Sequence, residues 1–220
     1  MNNQVFFTSD THFGHTNIID YCERPCRKTD YCSNCRGKKD EERHELHVKL
    51  GCPDVVAMDE MIIRNWNAVV GEDDEVFHLG DFTFYKDADK VERILTRLNG
   101  RKYFIWGNHD KVFHKNQRLI DEHFVWAKDY HELKLEAMPP IILIHYPLLT
   151  WNHAHHGAYH LHGHNHGGVD HLDTVTTRMD VGLDAIQNNM TPVSLDQVIS
   201  YMTARKYQAV DHHKSAEEEM

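Results

Sequence analysis

Apolar residues along this chain fall into short runs with two different spacings. Val5–Ser9, Glu75–Leu79, Lys102–Trp106, Tyr130–Leu135, Ile141–Ile144, Tyr159–Leu161, Thr174–Thr177 and Met179–Leu183 are brief apolar or alternating stretches that predict strands. Met58, Met61, Ile62, Trp66 and Val69 recur at helical spacing and predict a helix over Met58–Val70. A second helix is predicted from Asp87, its cap, to Leu98, with Val91, Ile94, Leu95 and Leu98 inward. Lys115–His123 and a last helix capped by Ser194, Leu195–Lys206, complete the set, with a short helix after Gly14 running through Tyr21. Strands alternating with helices give an α/β class. Residues 1–206 read as one domain and residues 207–220 as a polar, acidic tail.

One stretch interrupts this rhythm. Residues 22–54 are rich in Lys, Arg, Asp, Glu and Cys, lack a core pattern, and read as an insertion after the first strand and helix. Cys32 and Cys35 have the spacing of a zinc knuckle, and Cys26 and Cys52 lie at reasonable distances to complete a structural zinc set. The competing reading is unligated surface thiols, and Cys22, next to the first helix, is expected simply to pack. Residues 38–50 read as a charged, exposed helix whose His44 and His47 could replace a cysteine.

The chemistry lies where the strands stop. Five apolar runs end in metal-type side chains: Asp10 with His12, then Asp81, then Asn108 with His109, then His145, then His164 with His166. Open α/β sheets gather ligands outside the carboxyl ends of their strands, so these residues are expected to meet. Asp, Asn and His together suit Mn, Fe or Zn better than Ca or Cu(I). The set exceeds what one tetrahedral ion takes, which points to two ions sharing a bridging carboxylate.

Composition sharpens this picture. A formal net charge of -10 opposes a broad, sequence-blind grip on nucleic acid and suits a protein that concentrates cations. Histidine is abundant, 20 residues, many beside Asp or Gly. No run approaches the roughly 18 apolar residues of a membrane span, and the N-terminus lacks the pattern of a signal peptide. The expectation is a cytoplasmic protein.

Taken in order, DTH at 10–12, GD at 80–81, GNHD at 107–110, His145 and GHNH at 163–166 resemble the motif set of the calcineurin-like metallophosphoesterases. The surrounding text, DTHFGHTNII with HYPL and LHGHNH, resembles small bacterial and phage members; the Cys-rich insertion departs from them. The resemblance implies a four-layer αββα sandwich. It implies that Asp10, His12, Asp81 and His166 hold one divalent ion, with Asp81 bridging to a second held by Asn108, His145 and His164. It implies hydrolysis of phosphate esters, diesters before monoesters, by in-line attack of a hydroxide bridging the two ions (Mn, Fe, Zn or Ni). His109 would act on the transition state or leaving oxygen without binding metal. Asp110 either orients His109 or caps the following helix. His15 and Arg24 are candidates to touch substrate. Two alternatives remain: a lapsed enzyme serving as a binding scaffold, and a nuclease using Arg24, Arg27, Lys28, Arg36, Lys38 and Lys39 as a local basic patch. Nucleotides and nucleic acid are therefore among the esters considered.

Overall fold

The computed structural model describes residues 3–28, 47, 49–205 and 208. In chain order its elements are β1 (Val5–Thr8), α1 (Ile18–Tyr21), β2 (Arg27–Lys28), β3 (Cys52–Pro53), α2 (Val55–Val69), β4 (Glu75–His78), α3 (Ala88–Leu95), β5 (Arg101–Ile105), α4 (Lys111–Lys115), α5 (Gln117–His123), β6 (Phe124–Lys128), β7 (Tyr130–Leu133), β8 (Ile141–Ile144), β9 (Tyr159–His162), β10 (Arg178–Asp180), β11 (Val193–Ser194) and α6 (Leu195–Thr203). The fold is mixed α/β. One sheet has the order β11-β1-β4-β5-β6 and another the order β10-β9-β8-β7, with β2 and β3 forming a two-stranded ribbon. Within the first sheet β1, β4, β5 and β6 are parallel and β11 is antiparallel. Within the second, β8, β9 and β10 are parallel and β7 is antiparallel.

Strand alternation divides the side chains of the first sheet between two cores. Phe6, Val76 and Phe104 face one way and pack with Met58, Ile62 and Trp66 of α2, Val91 and Leu95 of α3, and Phe113 and Leu119 of α4 and α5. Phe7, Phe77, Tyr103 and Ile105 face the other way and meet Ile141, Leu143, Leu161 and Met179 of the second sheet. The outer face of the second sheet is covered by the 151–158 segment, where Ile142 packs with Trp151, Ala154 and Ala158. Trp151 is buried and its indole donates to the carbonyl of Ala158, so the His-rich loop is pinned by its tryptophan.

Several expected boundaries move, for physical reasons. Asp54 caps α2 by accepting from the Ala57 N–H, so the helix begins before Met58. Asn116, at φ -141°, leaves helical geometry and splits the expected Lys115–His123 helix into α4 and α5. Ser194 forms a capping box with Gln197 at the start of α6, as its position before Leu195 predicts. β6 was not legible, because FVWAK follows α5 with no turn residue between them. The strand expected at Thr174–Thr177 does not form: a 3₁₀ segment runs over Asp170–Val175 and pairing with β9 starts at Arg178. Tight backbone bonds from Asn165 to Gly163, Gly168 to Asn165 and Asp170 to Gly167 coil this part of the chain, and they override the β propensity of the threonines. Cys32, Cys35, His44, Arg36, Lys38, Lys39 and most of the expected helix over residues 38–50 lie outside the described residues, as does most of the 207–220 tail.

Two predictions follow from this packing. Trp66 is fully buried and its indole donates to the Asn99 carbonyl. Trp66→Ala is expected to cost about 3–5 kcal/mol in urea unfolding, from the cavity and the unpaired carbonyl. Asp59 on α2 is buried and accepts from the Gly14 N–H and the Tyr85 hydroxyl, tying the segment after β1 to α2. Burial outweighs these hydrogen bonds and pushes its carboxyl up to about 6. The folded state therefore holds a proton that the unfolded state releases near pH 4. The contribution of Asp59 to stability should fall as pH rises from about 4 to about 6, by about 3 kcal/mol, and Asp59→Asn should remove that part of the slope.

Candidate metal centre

The five strand ends come from both sheets: β1, β4 and β5 from the first, β8 and β9 from the second. The sheets meet there. Ser9 bridges to Gly182, and the Leu183 N–H donates to the Ser9 carbonyl. Asp10 N–H donates to Gly80, His12 N–H to Asp81, and Gly163 N–H to His145. Glycine is required where the segments touch. A Cβ at Gly107 would run into the Asp81 carboxylate and N–H, and one at Gly163 into Ser9 Oγ and Asp10 Oδ2.

These loops assemble two groups of metal-type atoms: Asp10, His12 and His166 in one, Asp81, His145 and His164 in the other. Asp10 Oδ1 lies 3.6 Å from His12 Nε2 and 3.8 Å from His166 Nε2. Asp81 Oδ2 stands between the groups, 3.8 Å from His12 Nε2 and 3.6 Å from His145 Nε2. Asn108 Oδ1 joins the second group, 3.2 Å from His145 Nε2 and 3.0 Å from His164 Nδ1. The structure thus brings all seven expected ligands into one place.

The donor set fits cations. Asp10 Oδ1 and both ring nitrogens of His12 are buried with no hydrogen-bond partner, a costly state unless an ion completes them. His145 Nδ1 faces the Leu79 carbonyl at 2.7 Å, which holds the proton there and leaves Nε2 as the donor atom. Asp184 Oδ2 does the same for His166, at 2.7 Å from Nδ1. Burial would raise the Asp10 and Asp81 carboxyls, but neighbouring imidazoles hold both below their usual values. Burial likewise opposes charge on His145 and His166, yet the Asp81 carboxylate beside His145 and the hydrogen bond that His166 donates to Asp184 raise both, His166 to about 11.

Backbone strain is concentrated at the same positions. Asp10, His12, Asp81, His164 and His166 all have positive φ, between 50° and 71°. Non-glycine residues seldom adopt this region, and clusters of such residues mark functional sites. The segments 10–12 and 164–166 share one device, two left-handed residues separated by one other residue, which re-aims both side chains of each pair.

With this geometry established, comparison with known proteins places the chain. No family model matches it. It is 31% identical over 208 residues to the uncharacterized protein MJ1445 of Methanocaldococcus jannaschii, covering 92% of this chain and 93% of that protein. The chain belongs to the family of MJ1445. It is also similar to the gene 66 proteins of two mycobacteriophages, 26% identical over 204 residues for D29 and 22% over 206 residues for L5. These matches cover 82% of this chain in each case, with 88% and 86% of the phage proteins. The crystal structure of the protein of unknown function AQ665 from Aquifex aeolicus superposes with a TM-score of 0.60 at 24% identity, covering 91% of this chain and all of that one, and shows a shared fold.

Around the two groups, some expectations change. The His109 ring is partly open to solvent, its Nε2 4.0 Å from Asp81 Oδ2, while the backbone N–H of His109 donates to Asp81 Oδ1 at 2.8 Å. Asp110 neither caps α4 through its side chain nor reaches for the His109 ring. Its buried carboxylate accepts from the N–H groups of Asp81, Phe82 and Gly107 at 2.7–2.9 Å, clamping the Asp81 loop to the Asn108 loop. Burial, then the charge of Asp81, push its carboxyl up to about 6 despite those bonds.

Arg24 is not a substrate contact. It is buried, and its guanidinium is committed to Asp184 and to the carbonyls of Asp10 and Thr11. His15 lies near the site, its ring stacked on Phe84 at 3.7 Å and 5.5 Å from that of His12. Burial lowers its pKa to about 4. Cys26 and Cys52 are both buried at the β2–β3 ribbon. Cys26 Sγ lies 3.6 Å from Met61 Sδ, and burial raises its thiol pKa, an environment opposed to a thiolate. Among the described residues these two cysteines form no metal-type group with a third ligand.

Sequence reasoning missed Asp184. Cys22 packs against the first core, as expected, and also lies close to His166 and Asp184. Asp184 carried a usable signal, since it ends the apolar run from Met179 just as Asp10 ends its own.

The Asp110 clamp is testable. Asp110→Ala would leave two buried N–H groups and the half-buried one of Gly107 unpaired, with an expected loss of about 3 kcal/mol or more in urea unfolding. Divalent-ion affinity measured by calorimetry should fall with it. Asp110→Asn, which keeps one oxygen acceptor, should lose less on both readouts.

Proposed function

We propose that this protein is a phosphoesterase that works with two divalent cations and belongs among the calcineurin-like metallophosphoesterases. The observation carrying this reading is the position of Asp81 Oδ2, within 4 Å of imidazole nitrogens from both groups. Two sheets packed face to face with helices on the first are compatible with the four-layer sandwich of that superfamily. Asp10, His12, Asp81 and His166 would hold one ion, and Asp81, Asn108, His145 and His164 the other. Such a pair would supply Lewis-acid polarisation of a phosphoryl group and neutralise charge developing on its oxygens.

The chain's own residues supply the remainder. Asp81 is fixed twice, by the His109 N–H on Oδ1 and by Asp110 on its own N–H. The accessible His109 ring reaches over this carboxylate and can donate a proton to a leaving alkoxide. Tyr146 packs on His164 at 4.6 Å with its hydroxyl 3.5 Å from Asn108 Oδ1, beside the second group. A phosphodiester is favoured as substrate over a monoester.

The nuclease alternative loses support in the basic stem of the insertion. Arg24 pairs with Asp184, Arg27 with Asp20 and Lys28 with Asp54, so these three charges are met internally. The intact ligand set with an accessible His109 speaks against a lapsed scaffold.

The test is hydrolysis of an aryl phosphodiester and an aryl phosphomonoester with Mn²⁺. Wild type should turn over the diester faster. Asp81→Asn and His109→Ala should each lose about 10²–10⁴-fold in kcat. Asn108→Ala should weaken metal affinity, whereas His109→Ala should leave it unchanged. Wild type as slow as both variants on every ester would remove the enzyme reading.

A further inference from the structure

The insertion leaves the domain at Cys22 and returns at Asp54, and its stem is bound into the site rather than hung beside it. Arg27 donates to Asp20 and to the carbonyls of Ile19 and Gly51. The β2–β3 ribbon pairs Arg27 with Pro53 and Lys28 with Cys52, and the Asp54 N–H donates to the Cys26 carbonyl. From this stem Arg24 enters the protein and is 1% exposed. Its Nε and Nη2 make a two-pronged pair with Asp184, both at 2.7 Å. Nη2 also donates to the Asp10 carbonyl at 2.8 Å, and Nη1 to the Thr11 carbonyl at 3.0 Å and to Met58 Sδ at 3.4 Å.

One side chain of the insertion stem therefore ties three things together: the backbone under Asp10, the loop bearing Asp184, and helix α2. Asp184 in turn holds His166 by Nδ1 and leaves Nε2 toward Asp10 Oδ1, 3.8 Å away. Because the Arg24 fork takes both Asp184 oxygens, the Cys22, His166 and Asp184 group is an orienting arrangement rather than a further ion site. A buried carboxylate held by a two-pronged guanidinium is fixed in rotation as well as in charge. The imidazole bonded to it is fixed too.

We propose that Arg24 is a positioning residue for the first metal position, acting through Asp184 on His166, so that this position is complete only when the stem of the insertion is docked. The inference rests on the metal reading above and assigns it a new component. It predicts a selective defect: without Arg24, His166 is no longer held toward Asp10, while Asp81, Asn108, His145 and His164 keep their own supports. Occupancy should fall at one position and persist at the other.

The experiment is calorimetric titration of the full chain with Mn²⁺ and Co²⁺, with metal counted by atomic emission after desalting and the visible Co²⁺ spectrum recorded. Wild type should retain two ions per chain. Arg24→Ala and Asp184→Asn should each weaken one site by about 10–100-fold, the usual range for residues that orient ligands, and retain about one ion. The cobalt spectrum should lose one component. Arg24→Lys, which keeps the charge but not the fork, should recover part of the loss. Asp184→Asn preserves shape, so it carries the test if Arg24→Ala does not fold, as judged by circular dichroism. The double variant should be no worse than the weaker single one if the two residues act as a unit. Two sites of wild-type affinity in folded Arg24→Ala or Asp184→Asn would overturn the inference and leave the metal reading standing. Failure of wild type itself to bind either ion would overturn both.

Discussion

Three carboxylates, Asp10, Asp81 and Asp184, are buried within one small region of this protein, and buried charge must be compensated. The surrounding structure is arranged by that requirement. Asp184 is met by the Arg24 fork and His166, and Asp81 by a backbone N–H and imidazoles. Asp10 receives the His164 N–H on Oδ2 and keeps Oδ1 without a hydrogen-bond partner, opposite His12 and His166. The incomplete oxygen and the incomplete imidazole face each other, a pairing that a metal ion could complete.

Holding these groups close has a conformational cost. Five of the seven expected ligands sit in left-handed backbone geometry, at about 1–3 kcal/mol each for residues other than glycine. The strain is held by rigid surroundings: parallel strands on one side, the inter-sheet core beneath, and the Asp110 clamp across the Asp81 and Asn108 loops. Asp110 and Arg24 play matching parts. Each is a buried charged group: Asp110 joins the loops of Asp81 and Asn108 through backbone N–H groups, and Arg24 joins the Asp10 backbone to Asp184, which holds His166. The first acts on the Asp81 side and the second on the Asp10 and His166 side.

Much of the site was legible because strand periodicity and motif position are local properties. The apolar runs ending at Asp10, Asp81, Asn108, His145 and His164 are visible without knowing how the sheets pack, and the helix caps at Asp87 and Ser194 follow from residue type. Boundaries failed where local preference competed with long-range contact. Thr174–Thr177 has strand-forming side chains but follows a tightly coiled segment, and FVWAK became an edge strand because it lies beside β5.

The residue types along the chain determined that acids, amides and imidazoles would end the strands, and hence that a metal-type site would form. Tertiary structure decided which buried charges belong to the centre and which only support it. Arg24, Asp110 and Asp184 look alike in sequence as polar residues near motifs. Their tasks are set by partners 160 residues away for Arg24 and 28 or 29 away for Asp110. Burial made those partnerships obligatory, since a charge removed from water must find its counterpart wherever the fold brings one, and no local pattern records that meeting.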